Sequence, residues 1–168
     1  GQYFTNDNSI PSKLVKTRAV VLNNSFIFYT DNGVFSKDGL DFGSRLLLEN
    51  IPLTEIGESL LDVGCGYGVF GIILNKILGV KVTMCDVNRR ALHLAEKNIK
   101  ENKCSDCSVI ESSCYQNINS KYSTIITNPP IRAGKKVVYE ILEGAKDYLL
   151  PGGRLFFVVR KEQGAKSI

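Results

Sequence analysis

Three observations predict an α/β fold, a doubly wound and mainly parallel sheet. From Ser59 onward, short apolar runs alternate with longer segments of helical periodicity, the pattern of strands joined by crossover helices. Runs such as Leu155 to Val159 are apolar throughout, as strands covered on both faces require. A glycine-rich turn, Gly64-Cys65-Gly66-Tyr67-Gly68, joins the first run to the first helix, where such sheets bind their ligands. Right-handed crossovers then give the strand order 3-2-1-4-5.

Ahead of the sheet, Ala19-Val20-Val21-Leu22 and Phe26-Ile27-Phe28-Tyr29 flank Asn23-Asn24 and predict an N-terminal β-hairpin extension. Gly33 to Gly39 reads as a loop. Leu40 to Ile51 carries Phe42, Leu46, Leu47, Leu48 and Ile51 at spacings compatible with one helix, which Pro52 ends. The core then runs as strand Ser59 to Val63, helix Val69 to Leu78, strand Lys81 to Asp86, helix Arg89 to Asn102 and strand Ser108 to Glu111. It continues with strand Thr124 to Thr127, helix Lys136 to Leu150, a stop at Pro151-Gly152-Gly153 and strand Arg154 to Arg160. Residues 1–168 read as one domain, with 1–52 as the hairpin and helix and 53–168 as the ligand-binding core.

At 168 residues, 43% hydrophobic and 23% charged, the chain has the composition of an ordinary globular domain. Its apolar runs are far shorter than the roughly 20 residues of a membrane span. Polar Gln2 to Ser9 in place of a basic and apolar leader predicts a cytoplasmic address. A net charge of +4 suits an anionic partner and equally many metabolic enzymes. Five cysteines, an odd number, favour reduced thiols over disulfides. Cys104 and Cys107 have the spacing of half a zinc site, but no second pair lies near them, so no metal is expected.

A glycine loop after the first strand lets a ligand approach backbone closely, although it can also be a bare tight turn. Its acidic neighbours select among ligands. Asp62 stands two residues before Gly64, and Asp86 ends the second strand. A dinucleotide would lay a pyrophosphate beside Asp62, and its fingerprint calls for Gly or Ala where this chain has Val69. A ligand with an ammonium and a sulfonium and no phosphate, S-adenosylmethionine, is electrostatically suited to Asp62. Asp86 can accept hydrogen bonds from two ribose hydroxyls of either ligand.

The fourth strand ends in Thr127-Asn128-Pro129-Pro130-Ile131, by itself a stiff turn. In a 3-2-1-4-5 sheet, however, it flanks the same crevice as the glycine loop. The Asn128 side-chain oxygen and the Pro129 carbonyl can each accept one hydrogen of an amine, turning its lone pair toward an electrophile, while two prolines stiffen the backbone and add no donors. His93 falls on a helix away from any catalytic signal.

Leu61 to Gly68 resembles motif I of the class I methyltransferases, and Met84-Cys85-Asp86-Val87-Asn88 their ribose-binding motif. That resemblance implies a Rossmann-like methyltransferase fold with S-adenosylmethionine as cofactor, Asp62, Gly64, Cys65, Gly66, Tyr67, Gly68 and Asn128 around its methionine end, Asp86 on its ribose, Val87 against adenine, and Ser113 and Cys114 near the adenine amino group. Relatives usually carry Asp in place of Ser113, whose hydroxyl can still accept that bond. From Phe26 to Ser167 the chain, with Gly33 to Ser36, Leu40 to Leu48 and Asn128 to Lys135, resembles the small-domain rRNA guanine-N2 methyltransferases. The resemblance implies catalysis by Asn128, Pro129, Pro130 and Ile131, substrate contacts at Phe35, Asp41, Ser44, Arg132 and Lys135, and ribosomal RNA or a ribosomal subunit as partner. Ile131 stands where that family often has an aromatic that stacks on the base, so Phe35 or Tyr67 is expected either to substitute or simply to pack. Arg132, Lys135 and Lys136, with Arg160, Lys161 and Lys166, offer phosphate contacts at the strand-end face. The usual hairpin after the fifth strand is expected to be absent, with truncation as the favoured reason. Adenine N6, a protein glutamine amide and a non-catalytic RNA-binding role are the alternative readings.

Overall fold

The computed structural model describes residues 14–31, 40–129 and 134–158. Strands β1 (Leu14–Val21) and β2 (Asn24–Asp31) pair antiparallel, Val21 opposite Asn24. The predicted hairpin is present, with its turn at Leu22 and Asn23, one residue earlier than expected. Both have positive φ, 50° and 64°, which matches the twist of a two-residue hairpin. Helix α1 (Phe42–Asn50) follows, then a 3-10 turn at Leu53–Glu55.

The core alternates β3 (Ser59–Val63), α2 (Val69–Leu78), β4 (Lys81–Asp86), α3 (Arg89–Glu101), β5 (Cys107–Glu111), β6 (Tyr122–Thr127), α4 (Lys135–Gly144) and β7 (Leu149–Phe157). The sheet runs β5-β4-β3-β6-β7 with every pair parallel, the expected order counted from β3. Alternate strand residues feed two cores. Leu60, Val82, Met84 and Ile126 pack with the hairpin, α2 and α3, whereas Leu61, Cys85 and Ile125 pack with Tyr115 and with Ile141 of α4.

One expectation fails at the end of α4. The helix stops at Gly144, a 3-10 turn covers Ala145–Tyr148, and β7 begins before Pro151. Tyr148 stacks on Tyr115 with centroids 4.6 Å apart, which packs the 3-10 turn against the segment after β5. Leu149 pairs with Tyr122 and Arg154 with Thr124, so Pro151-Gly152-Gly153 is a bulge within the strand. A Cβ on Gly153 would lie 2.9 Å from the carbonyls of Leu150 and Ser123. Among the described residues β7 is an edge strand, where Pro151 is tolerable.

Two asparagines of α3 dock the hairpin. Tyr29 N donates to Asn98 Oδ1 at 2.7 Å and Asn98 Nδ2 donates back to Tyr29 O at 3.1 Å. Asn102 repeats the exchange with Ile27, at 3.0 and 2.7 Å. The outer edge of β2 is thereby satisfied by amide side chains standing in for a neighbouring strand.

Candidate active site

Parallel pairing sets Val63 beside Thr127, so the turns beginning at Gly64 and Asn128 open on one crevice. Thr127 Oγ1 donates to the Val63 carbonyl at 2.8 Å and fixes that junction.

On one side of the crevice lies the glycine loop. Gly66 has φ +55° and nothing within 4 Å of the place a Cβ would take. It lines a cavity of about 270 Å³ with Asp31, Tyr67, Asp86, Asn88, Ala91 and Leu94. Gly71 differs: a Cβ there would lie 2.6 Å from Met84 Sδ, so it serves the close packing of α2 on β4, while Val69 is simply buried.

Asp62 is 1% exposed. Its Oδ2 accepts from Gly71 N at 3.2 Å, and its Oδ1 has no partner among the described residues. Burial pushes the carboxyl up to about 7, opposed by the Gly71 N–H and reinforced by repulsion from Asp86. Asp86 accepts from Gly66 N at 2.8 Å through Oδ2 and from Asn88 N at 2.9 Å through Oδ1. It therefore braces the loop against β4 and keeps a lone pair on each oxygen for further donors. Cys65 is buried, and desolvation with nearby carboxylates holds its thiol well above the ordinary value.

Past β4 and β5, Val87 is 66% exposed and Ser113 is also exposed. The turn that carries Ser113 and Cys114 is held from within. Ser112 Oγ donates to Cys114 O at 2.8 Å and accepts from Asn117 N at 3.0 Å. Burial and Glu140 raise the Cys114 thiol.

Asn128 stands across the crevice. Its Nδ2 donates to Asp41 Oδ1 at 3.3 Å and Oδ2 at 3.5 Å, and to Ser44 Oγ at 3.3 Å. Asp41 caps α1, accepting from Ser44 N at 2.8 Å, and also takes the Ser44 hydroxyl at 3.2 Å. Asp41 and Ser44, expected at the substrate, both accept from the Asn128 amide. Pro129 is buried behind it.

Tyr67 offers no free ring. It is 5% exposed and meets Phe28 edge-on with centroids 5.6 Å apart, so packing on the docked hairpin removes it as a stacking platform. Lys135 opens α4 and is exposed. Phe35, Pro130, Ile131 and Arg132, the basic residues Arg160, Lys161 and Lys166, and the expected missing C-terminal hairpin lie outside the described residues.

Sequence reasoning missed Asn98, whose Nδ2 also donates to Tyr67 O at 2.9 Å and holds the glycine loop to α3. Its signal was two weak helix formers one turn apart, Asn98 inside a helix and Asn102 at its C-cap. It also missed Asp31, which lines the cavity and pairs with Arg90 at 2.7 Å, and Phe42, 70% exposed beside Asp41. Among the described residues no cluster of three His, Cys, Asp or Glu could hold a metal, and no helix is long and apolar enough to cross a membrane. Cys104 and Cys107 are free thiols sharing a hydrogen bond, which lowers the first and raises the second.

The sheet order and the motif loop define the Rossmann-like fold of the S-adenosylmethionine-dependent methyltransferases. Residues 25–168 match the methyltransferase small domain family, and the chain belongs to it. It is 39% identical over 168 residues to the uncharacterized protein YbxB of Bacillus subtilis, a match spanning 98% of this chain and 84% of that one. It is 39% identical over 137 residues to ribosomal RNA small subunit methyltransferase C of Mannheimia succiniciproducens. There it spans 79% of this chain and 40% of the relative's length. A solved T. thermophilus 16S rRNA N2 methyltransferase, in complex with AdoMet and guanosine, superposes with TM-score 0.78 at 25% identity, over 91% of this chain and 44% of that one. The L11 methylase of Lactobacillus delbrueckii, at 20% identity and TM-score 0.58, shares the fold.

S-adenosylmethionine is the cofactor of this family, and the residues present fit it. A buried carboxylate oxygen without a partner suits a cationic ligand, open space at Gly66 admits one, and Asp86 keeps acceptors for a ribose.

Proposed function

We propose that this methyltransferase modifies the N2 exocyclic amine of a guanine in small-subunit ribosomal RNA. The observation that carries the reading is the Asn128 amide, whose nitrogen donates to Asp41 and Ser44, so that its oxygen is the end with acceptor capacity left for a substrate. In this reading Asp62, Gly64, Cys65, Gly66, Tyr67, Gly68, Asp86, Val87, Ser113 and Cys114 hold the cofactor, which supplies an electrophilic sulfonium methyl when bound. Asn128 Oδ1 and the Pro129 carbonyl accept the two amine hydrogens, so the lone pair points away from both. The amine nitrogen forms the new bond to carbon as the carbon–sulfur bond breaks, the sulfur keeps that electron pair, and the surplus amine proton passes to water. Positioning therefore supplies most of the acceleration, and no strong base is needed. The exposed ring of Phe42 is suited to stacking on a base. Likeness to the rRNA methyltransferases above supports the choice of substrate.

The test is transfer of labelled methyl from S-adenosylmethionine to naked small-subunit rRNA, assembled subunits and whole ribosomes, followed by nucleoside analysis. Label in N2-methylguanosine is expected, and Asn128→Ala should lower turnover by at least about 100-fold with cofactor binding retained. Label confined to protein or to adenosine would redirect the assignment.

A further inference from the structure

We infer that Asp41 and Ser44 are positioning residues, which set the rotamer sense of the Asn128 amide and so make its oxygen, rather than its nitrogen, the group offered to the acceptor amine. The inference rests on the reading of Asn128 given above and adds the device that makes it work. An asparagine amide presents a donor at one end and an acceptor at the other, and the two ends have nearly the same shape. Backbone position alone cannot choose between them. If the nitrogen faced the amine, two donors would oppose each other and the substrate would be turned the wrong way.

Three acceptors at the start of α1 make the choice, two on its N-cap Asp41 and one on Ser44. A carboxylate only accepts, so both Asp41 oxygens, 3.3 and 3.5 Å from Asn128 Nδ2, admit the nitrogen and reject the oxygen. Ser44 has a hydroxyl that could do either, but its hydrogen is directed to Asp41 Oδ2 at 3.2 Å, which leaves lone pairs for Asn128 Nδ2 at 3.3 Å. Asp41 thereby fixes the polarity of the amide directly and also through Ser44. Gly43 lets the helix start approach the whole amide, since a Cβ there would lie 3.3 Å from Asn128 Nδ2 and 3.5 Å from its Oδ1; the choice between the two ends falls to the Asp41 and Ser44 oxygens. Ser44 is 6% exposed, so its bonds are shielded from competing water.

Asp41 also caps α1, and an alanine would confound the cap with the polarity. Asp41→Asn separates them, because asparagine caps a helix as well as aspartate does. Its oxygen can serve Ser44 N while its amide nitrogen meets Asn128 Nδ2 and drives that amide to flip. With labelled S-adenosylmethionine and small-subunit rRNA, Asp41→Asn is expected to lower kcat by about 100-fold, with KM, the cofactor Kd and the Tm close to wild type. Ser44→Ala should lose about fivefold, the worth of one ordinary hydrogen bond, and Ser44→Thr, which keeps the hydroxyl, should recover it. Wild-type kcat in Asp41→Asn would overturn the inference. So would a parallel loss of cofactor binding or of Tm in that variant, which would make Asp41 a cofactor or purely structural residue. Should the wild type label no rRNA, or Asn128→Ala transfer as well as wild type, the reading beneath the inference fails and takes it along; an active wild type with a silent Asn128→Ala and an active Asp41→Asn refutes the inference alone.

Discussion

On the cofactor side of the crevice the glycine loop is held by the unit that follows it in sequence, whereas Asn128 on the other side is held from far away. Cys65 N donates to Cys85 O at 2.9 Å and Gly66 N to Asp86, 20 positions on. Asn128 takes Asp41, 87 positions back. The first side is one βαβ unit whose strand ends brace its own loop. The second depends on a helix delivered by the N-terminal extension. A local unit can carry a short motif, while a side chain aimed across the fold must be held by whatever element happens to cover it.

Asn98 is where the two architectures meet, and removing it should have the largest effect on the fold. Fully buried, it serves Tyr29 N, Tyr29 O and Tyr67 O at once. Asn98→Ala leaves those backbone groups without partners, at a cost of about 3 kcal/mol. Denaturant unfolding should show that loss, and calorimetry should show weaker S-adenosylmethionine binding because the loop loses its tie to α3. A variant as stable as wild type would mean that the hairpin is not docked through this residue. Next in size is Asp86→Ala. In the proposed reading Asp86 accepts from two ribose hydroxyls, so its loss should weaken the cofactor Kd by about 30-fold, with transfer at saturating cofactor little changed. An unchanged Kd would remove Asp86 from the ribose, and a collapse of kcat would blur the distinction between the two sides.

The same contrast explains what could be read in advance. Strand order, the glycine loop and the Asp62 and Asp86 positions were legible because periodicity and a motif are local properties. The roles of Asp41 and Ser44 were not. Nothing in the sequence says that the Asp41 carboxylate, which caps α1 through Oδ1, also meets Asn128 with both oxygens. Tyr67 reads from the sequence either as a platform standing in for the missing aromatic at Ile131 or as plain packing, and only the edge-on contact with Phe28 of the hairpin decides for packing. The bulge at Pro151 was read as a stop, since a proline and two glycines mark either a loop or a strand irregularity, and only pairing of Leu149 with Tyr122 decides.

The smallest effect expected on cofactor affinity is a pH dependence carried by Asp62. Its carboxyl is raised from 3.8 to about 7 in the folded chain, chiefly by burial, with Asp86, Cys65 and Cys85 as the titratable groups beside it. Burial pushes Cys85 up to about 12 and Cys65 well above its usual range, so neither thiol ionises near neutrality. The folded state therefore holds a proton that the unfolded state has released between pH 3.8 and about 7. Stability from that proton is fully present below 3.8 and is lost as the pH rises through about 7. The Tm of the free protein should fall over this range. Cofactor binding should run the other way, because a cation prefers the ionised carboxylate: affinity should rise about tenfold between about pH 6 and 8 and release a proton. Asp62→Asn should flatten both profiles. If the variant keeps the slopes, the titrating group lies elsewhere and the buried carboxylate is a packing feature of α2, which would leave Asp86 as the main electrostatic anchor on the cofactor side.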